Sequence, residues 1–181
     1  MSEGSRGEEP QASMRQYRNI VLTGFMGTGK STIGRMLAAR LGLKLIDTDA
    51  LITQSHGPIP LIFEEYGESG FRDIERAVGR DLATYHGHVI STGGRFMLDE
   101  QNAELLSRDN RVFCLVADLE VIVERVLRKP ERRPMLQVPN PRERVIELLE
   151  ERAEGYARFE SVHSDAGPPH KVVDDIVSRL E

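Results

Sequence analysis

The sequence predicts an α/β fold, a three-layer sandwich in which a central five-stranded parallel sheet lies between two layers of helices. Short apolar runs of strand length alternate along the chain with amphipathic segments, and parallel neighbours require such helical crossovers. The chain has 181 residues, of which 39% are hydrophobic, and this suits one compact domain. We therefore expect a single domain at residues 17–181 after a flexible leader at residues 1–16, which is rich in Ser, Gly, Glu and Gln.

The predicted elements follow one another from residue 19 onward. A strand at residues 20–22 leads into a glycine-rich loop and a helix, which Gly42 ends. Three further apolar runs have strand length, and a weaker one follows them, at residues 43–46, 89–90, 112–116 and 161–163. An amphipathic helix at about residues 171–180 comes last.

Two longer segments between the strands are predicted to be helical. Residues 49–87 form an excursion that we expect to cover a pocket as a substrate-binding region. Its apolar side chains recur on one helical face, at Phe71, Ile74, Val78 and Leu82. Asn140 as N-cap, Pro141 at the first helical position and Glu143 closing a capping box predict a helix to about residue 159.

Composition excludes several classes of partner. The net charge is −5, and without an extended basic face the chain is not expected to bind nucleic acid. No apolar stretch approaches the roughly 18 residues of a membrane span, and residues 1–18 lack the apolar centre of a signal peptide. The single cysteine, Cys114, lies in an apolar run and is interpreted as a core residue in a reducing compartment. We expect a cytoplasmic protein that binds a small anion and no membrane.

The strongest motif is a phosphate-binding loop at residues 24–31. Gly-Phe-Met-Gly-Thr-Gly-Lys-Ser satisfies G-x-x-x-x-G-K-[ST] between a predicted strand and a predicted helix. In such a loop the backbone amides surround phosphate oxygens, Lys30 neutralises the outer phosphates and the Ser31 hydroxyl ligates Mg²⁺. The alternative is a glycine turn with an incidental lysine.

Two aspartates, Asp47 and Asp49, end the second predicted strand. If the strand stays extended, residues two apart face the same side. Carboxylates at this edge of a parallel sheet can hold hydrated Mg²⁺ or accept a proton from an attacking hydroxyl. The alternative is that one of them caps the helix that follows.

Two arginines are candidates for binding a carboxylate. Arg72 lies beside the apolar stripe of the excursion, three residues before Glu75, so a clamp for a substrate carboxylate and a surface ion pair are both open. Arg152 occupies a core-facing position on the helix after Asn140, where a cation needs an anion unless its stem reaches water.

Residues 125–140 are predicted to form a basic lid. Five of the residues from 125 to 133 are cationic against the single acidic Glu131, and prolines interrupt regular structure around them. A hinge after Arg133 could bring this arginine onto a transferring phosphoryl group. A solvated basic loop is the alternative.

Taken in order, these motifs resemble those of the shikimate kinase family, which has a P-loop kinase fold, from about residue 18 to residue 180. The matching segments are the loop at residues 24–32, Asp47 with Asp49, G-E-x-x-F-R-x-x-E at residues 67–75, R-P-x-L at residues 133–136, and Arg152 with Tyr156. One departure follows the third strand, where the family has three glycines and this chain has Gly93, Gly94 and Arg95. Arg95 would disturb the pocket if a positive φ were needed there, or it would turn outward or contact an anion.

The resemblance implies transfer of the γ-phosphoryl group of ATP to the 3-hydroxyl of shikimate by a monomer. It implies a catalytic set of Lys30, Asp49 and Arg133, and a Mg²⁺ site at Ser31 and Asp47. The nucleotide would bind Gly27, Thr28, Gly29, Lys30, Ser31, Thr32, Arg125 and Arg133. The acid would bind Asp49, Arg72, Gly94 and Arg152. Arg128 is the alternative to Arg125 beside the adenine, and Pro168 or Pro169 would form the opposite wall.

Two other functions stay open at this point. A related kinase could act on another small hydroxylated carboxylic acid and use Arg95 for different recognition. A non-catalytic nucleotide-binding module is a further alternative, although the chain carries no N-K-x-D guanine motif and no D-x-x-G switch motif.

Overall fold

A computed structural model describes residues 17–128 and 134–181. The predicted leader at residues 1–16 lies outside the described residues. The predicted three-layer architecture is confirmed, with five parallel strands in the order β2-β3-β1-β4-β5. The strands are β1 (Asn19–Gly24), β2 (Lys44–Asp47), β3 (His88–Ser91), β4 (Arg111–Val116) and β5 (Glu160–His163). Each predicted strand is present.

Helices connect and cover the strands in the described part of the chain. They are α1 (Lys30–Leu41), α2 (Thr48–His56), α3 (Ile59–Leu82), α4 (Glu100–Ser107), α5 (Leu119–Leu127), α6 (Pro141–Tyr156) and α7 (Pro169–Ser178). Short 3₁₀ turns lie at Phe96–Leu98 and Pro134–Leu136. Within the described ranges, no helix combines the length and the apolarity that a membrane span requires.

The core follows the period-two alternation of the central strand, β1. Ile20 and Leu22 pack with α1 and α7 on one face of the sheet, whereas Val21 packs with α2, α3 and α4 on the other. A third cluster joins Phe25 and Cys114 to α5 and α6. Because β1 lies at the centre of the sheet, the phosphate-binding loop begins between the ends of β3 and β4.

Three boundaries differ from the prediction. The helical excursion is divided between α2 and α3, and α3 is kinked at Gly67, whose φ is 68°. Helix α6 ends at Tyr156 rather than at about residue 159. Helix α7 begins at Pro169, two residues early, because a proline fits the first turn of a helix, where no amide partner is needed.

The capping box predicted at the start of α6 is wrong. Pro141 is at the start of the helix, but the Asn140 side chain makes no bond to a helix amide. Its Nδ2 instead donates to Glu143 Oε2 at 3.0 Å. This charge-assisted bond occupies the Glu143 carboxylate, which a capping box would instead place at the backbone amide of Asn140.

Candidate active site

The loop between β1 and α1 has the geometry of a phosphate cradle. Gly27 and Gly29 have φ values of 80° and 89°, in the region that residues with a Cβ disfavour. The Thr28 hydroxyl closes the turn by donating to the Phe25 carbonyl at 2.7 Å. No side chain caps α1, and its first turn holds no acidic residue. The positive end of the helix dipole is therefore left for an anion.

Lys30 lies along the inside of this loop. Its Nζ donates to the carbonyls of Gly24 at 2.6 Å and Phe25 at 2.9 Å. Burial lowers the pKa of Lys30 to about 8, although the carboxylates of Asp49 and Asp47 act in the opposite direction. An ammonium group held in so little water interacts strongly with a phosphate oxygen.

Asp47 and Asp49 lie in a different local structure from the predicted one. The extended strand ends at Asp47, which caps α2 by accepting the Ala50 amide at 3.1 Å, so the capping alternative is confirmed for this residue. Asp49 lies in the first turn of α2, because the chain turns helical directly after its cap. Both carboxylates nevertheless line the cleft. Ser31 Oγ lies 3.5 Å from Asp47 Oδ2.

Asp49 lies between the loop and the glycines after β3. Burial and the neighbouring Asp47 carboxylate raise the pKa of Asp49, and Lys30 opposes this rise. A Cβ added to Gly93 would lie 2.5 Å from Asp49 Oδ1. The backbone amide of Gly93 donates to Thr48 Oγ1 at 2.8 Å. The glycine therefore fixes where the Asp49 carboxylate can lie.

Gly93→Ala is expected to lower kcat by about tenfold or more, the scale at which misplaced catalytic groups act. The new methyl group would push the Asp49 carboxylate away, and a side-chain end can move without disturbing the fold. The unfolding midpoint should therefore change little. Gly42→Ala is unsuitable as a control, because the φ of Gly42 is 67° and disfavours a residue with a Cβ. The control is Ala83→Gly, directly after α3, which changes a methyl group unrelated to Asp49. Equal losses of kcat in both variants would contradict the assignment.

Arg72 is braced from two sides. Its Nη1 donates to Glu75 Oε2 and its Nη2 donates to Glu68 Oε1 at 3.2 Å. Glu75 is only 2% exposed, and burial raises the pKa of Glu75 while Arg72 opposes the rise. The predicted bracing by Glu75 is present, and the burial of this carboxylate distinguishes the contact from a solvated surface pair.

Arg152 is buried, and no carboxylate among residues 17–128 and 134–181 forms an ion pair with it. Its residue surface is 6% exposed, so the alternative in which the stem reaches water is wrong. The guanidinium lies over the Phe25 ring, with Cζ 5.5 Å from the centroid. Among the described residues, Nε has no hydrogen-bond partner, and burial lowers the pKa of Arg152. Such a cation is suited to receive an anion from outside the chain.

Arg95 is accommodated without backbone strain. Its φ is −108°, so no positive φ requires a glycine at this position. The side chain turns outward and its Nη1 donates to Glu68 Oε1 at 3.0 Å. The preceding Gly94 lies beside Arg152 Nη1, and its carbonyl accepts the Tyr156 hydroxyl. The hydrogen bond of Tyr156 therefore connects Gly94 to α6, the helix that also contains Arg152.

One polar cleft of about 460 Å³ collects most of the predicted residues. It is lined by Met26, Gly27, Gly29, Lys30, Ser31, Thr32, Asp47, Asp49, Ser91, Thr92, Gly93, Gly94 and Arg125. Arg125 donates to the Gly27 carbonyl at 3.2 Å, whereas Arg128 pairs with Glu124 in solvent. This favours Arg125 at the nucleotide side.

Arg72 lies outside this cleft and lines a space of about 670 Å³ together with Arg95. Arg133 lies outside the described residues.

Three contributors to the site were not predicted as site residues. Thr48 is fully buried and binds the Gly93 amide, and Phe25 lies under Arg152. Glu68 contacts both Arg72 and Arg95. The Glu of G-E-x-x-F-R lies four residues before the arginine, a helical spacing that could have indicated the Glu68 contact. Nothing in the local sequence indicates the contacts of Thr48 and Phe25.

These features define a P-loop kinase fold, in which a phosphate cradle and a candidate base line the same cleft. The sequence matches the shikimate kinase family over residues 26–181. It is 40% identical over 166 residues to the shikimate kinase of Thermodesulfovibrio yellowstonii, covering 91% of this chain and 95% of that protein. It is 43% identical over 164 residues to the shikimate kinase of Geobacter sulfurreducens, covering 90% and 88%.

A solved structure shows the same relationship. Shikimate kinase from Acinetobacter baumannii in complex with shikimate superposes with a TM-score of 0.85 at 33% identity, covering 93% of this chain and 95% of that one. The chain therefore belongs to the shikimate kinase family, and it is a phosphotransferase with an alcohol acceptor. The predictions of family, fold and type of reaction are confirmed.

Proposed function

We propose that this chain transfers the γ-phosphoryl group of ATP to the 3-hydroxyl of shikimate, with the nucleotide on the loop and the acid between Asp49, Arg72 and Arg152. The observation that carries the proposed acid site is Arg152, a buried guanidinium that has an unpartnered Nε and forms no ion pair with a carboxylate in the described part of the chain. A substrate carboxylate would supply the missing charge.

The chemistry follows from the positions around the cleft. The acid, held by its carboxylate, presents a hydroxyl to Asp49, which accepts the proton as the oxygen attacks the γ-phosphorus. The bond from that phosphorus to the bridging oxygen of ADP then breaks. Lys30 and the loop amides stabilise the charge on the phosphoryl oxygens throughout the transfer.

The oxygen donors at Ser31 and Asp47 fit a hydrated Mg²⁺ ion. Their side-chain oxygens lie 3.5 Å apart beside the phosphate cradle. Within the described ranges, no group of three or more acidic, His or Cys side chains could hold a metal ion by protein ligands alone. Mg²⁺ commonly keeps several waters and takes ligands from phosphates. When bound, the ion supplies positive charge to the phosphate oxygens.

The remaining parts of the nucleotide site are proposed from sequence and from neighbouring contacts. Arg125 lies against the loop through the Gly27 carbonyl and is proposed beside the adenine. Arg133 is proposed to reach the phosphoryl group from the predicted lid at residues 125–140, and Pro168 or Pro169 to form the opposite wall. A cytoplasmic location is proposed from composition, and a monomer from the family resemblance.

Arg152→Met is expected to raise KM for shikimate by about 10²-fold or more while KM for ATP stays within about twofold, since a charge-assisted contact to a carboxylate contributes roughly 3 kcal/mol. The same variant should unfold at an equal or higher temperature, because it removes a charge that burial disfavours. Steady-state kinetics and thermal unfolding measure both effects. A matched increase in both KM values would contradict the carboxylate role.

A coupled ADP assay with ATP, Mg²⁺ and shikimate tests the proposed reaction. A panel of other hydroxylated carboxylic acids in the same assay tests the alternative substrate, and shikimate should give the highest kcat/KM. Nucleotide binding by calorimetry without turnover of any acid would instead support a non-catalytic module.

A further inference from the structure

A single carboxylate oxygen connects two arginines at the edge of the acid site. Glu68 Oε1 accepts from Arg72 Nη2 at 3.2 Å and from Arg95 Nη1 at 3.0 Å. The other terminal nitrogen of Arg72 donates to Glu75. Both terminal nitrogens of Arg72 are thus engaged by carboxylates of the chain itself.

The two carboxylates on Arg72 differ in how easily they can leave. The Glu75 side chain is 2% exposed, and the Glu68 side chain is 57% exposed. A buried carboxylate that lost its cation would be left uncompensated, whereas an exposed one would be hydrated at once. Glu68 is therefore the partner that an incoming carboxylate can displace.

We propose that Glu68 competes with the substrate carboxylate for Arg72, and that Arg95 is a positioning residue that holds Glu68 when it leaves. This inference rests on the proposed role of Arg72 in binding the acid. Arg95 is 39% exposed, close enough to retain Glu68 and open enough for both side chains to move together. The residue in the position of the family's third glycine would thereby set the affinity for the acid without touching it.

The opposite interpretation is that Arg95 binds the substrate carboxylate directly. Both interpretations predict weaker binding of the acid when Arg95 is neutralised. They differ when Glu68 is neutral, because Arg95 then has no competitor to hold. A double-mutant cycle separates an effect through Glu68 from a direct contact.

The experiment measures KM for shikimate at saturating ATP for Arg95→Gln, Glu68→Gln and the double variant. We expect Arg95→Gln to raise KM roughly two- to fivefold, the scale of an exposed ion pair, and Glu68→Gln to lower it. In the Glu68→Gln background, Arg95→Gln should leave KM unchanged. The KM for ATP should not move in any of the three variants.

Several outcomes would overturn the proposal. An equal rise in KM when Arg95→Gln is made in the Glu68→Gln background shows direct contact, and no rise in the wild-type background shows no role. Arg108→Gln, directly after α4, removes the same charge from an exposed pair with Glu104 and is the matched control for net charge. Absence of wild-type turnover would refute the proposed function itself, whereas wild-type turnover with an unchanged KM in Arg72→Gln would refute only the role of Arg72.

Discussion

Lys30→Met is expected to lower kcat by roughly 10²- to 10³-fold, the loss that follows removal of one preorganised charge at a reacting centre. Met retains the apolar stem but supplies no ammonium group to the phosphoryl oxygens. The effect should be large because Lys30 lies in a desolvated position, held by the Gly24 and Phe25 carbonyls. A coupled ADP assay under saturating substrates measures it.

Lys44→Met is the matched control, because Lys44 is an exposed lysine on β2 and its substitution should leave kcat unchanged. The pH dependence gives a second check. Burial lowers the pKa of Lys30 to about 8, so the charged form decreases as pH rises through that value. Wild-type kcat/KM for ATP, which reports the free enzyme, should decrease there. A flat profile between pH 7 and about 9 would contradict the role of the ammonium group.

Much of the fold could be predicted because its signals are local. Strands β1 to β4 each contain an apolar run, and β1 is followed at once by a loop whose glycines and lysine have a fixed spacing. The residues at which strands and helices end were harder to predict. The end of β2 depends on whether Asp47 continues the strand or caps a helix, and the cap prevails because the Ala50 amide is within reach.

The site was predictable where a motif fixes the position of a side chain relative to the backbone. Lys30 and Ser31 follow from the loop, and Arg152 follows from a helical stripe that would otherwise be apolar. Contacts between distant segments could not be predicted in this way. Thr48 meets the Gly93 amide across 45 residues of chain, and Glu68 meets Arg95 across 27.

Three charged side chains proposed for the site share one property. Burial disfavours the charged forms of Lys30, Asp49 and Arg152. Their charges therefore oppose folding. The charges of the cations Lys30 and Arg152 become favourable when an anionic ligand arrives, whereas the Asp49 carboxylate gains no such compensation from an anion. Binding of ATP and shikimate is accordingly expected to raise the unfolding temperature.

Asp49→Asn is the second large expected effect, a loss of about 10²- to 10⁴-fold in kcat, which is the range of general base catalysis. The amide has the same shape and can lie beside Gly93 as the carboxylate does, but it cannot accept the proton of the attacking hydroxyl. Since burial and Asp47 raise the pKa of Asp49, wild-type activity should be lost on acidification at a higher pH than an ordinary aspartate would give. The variant should lack this acidic decrease.

Stability separates this role from a structural one. A carboxylate whose pKa is raised on folding weakens the folded state as pH rises through that pKa, so the neutral amide should unfold at an equal or higher temperature at neutral pH. Asp81→Asn, at an exposed position on α3, is the matched control and should retain full activity. If kcat of Asp49→Asn stayed within about threefold of the wild-type value, a far smaller loss than expected, the proton would have to leave the hydroxyl by another path. A loss of kcat accompanied by a lower unfolding temperature would instead show that Asp49 maintains the fold.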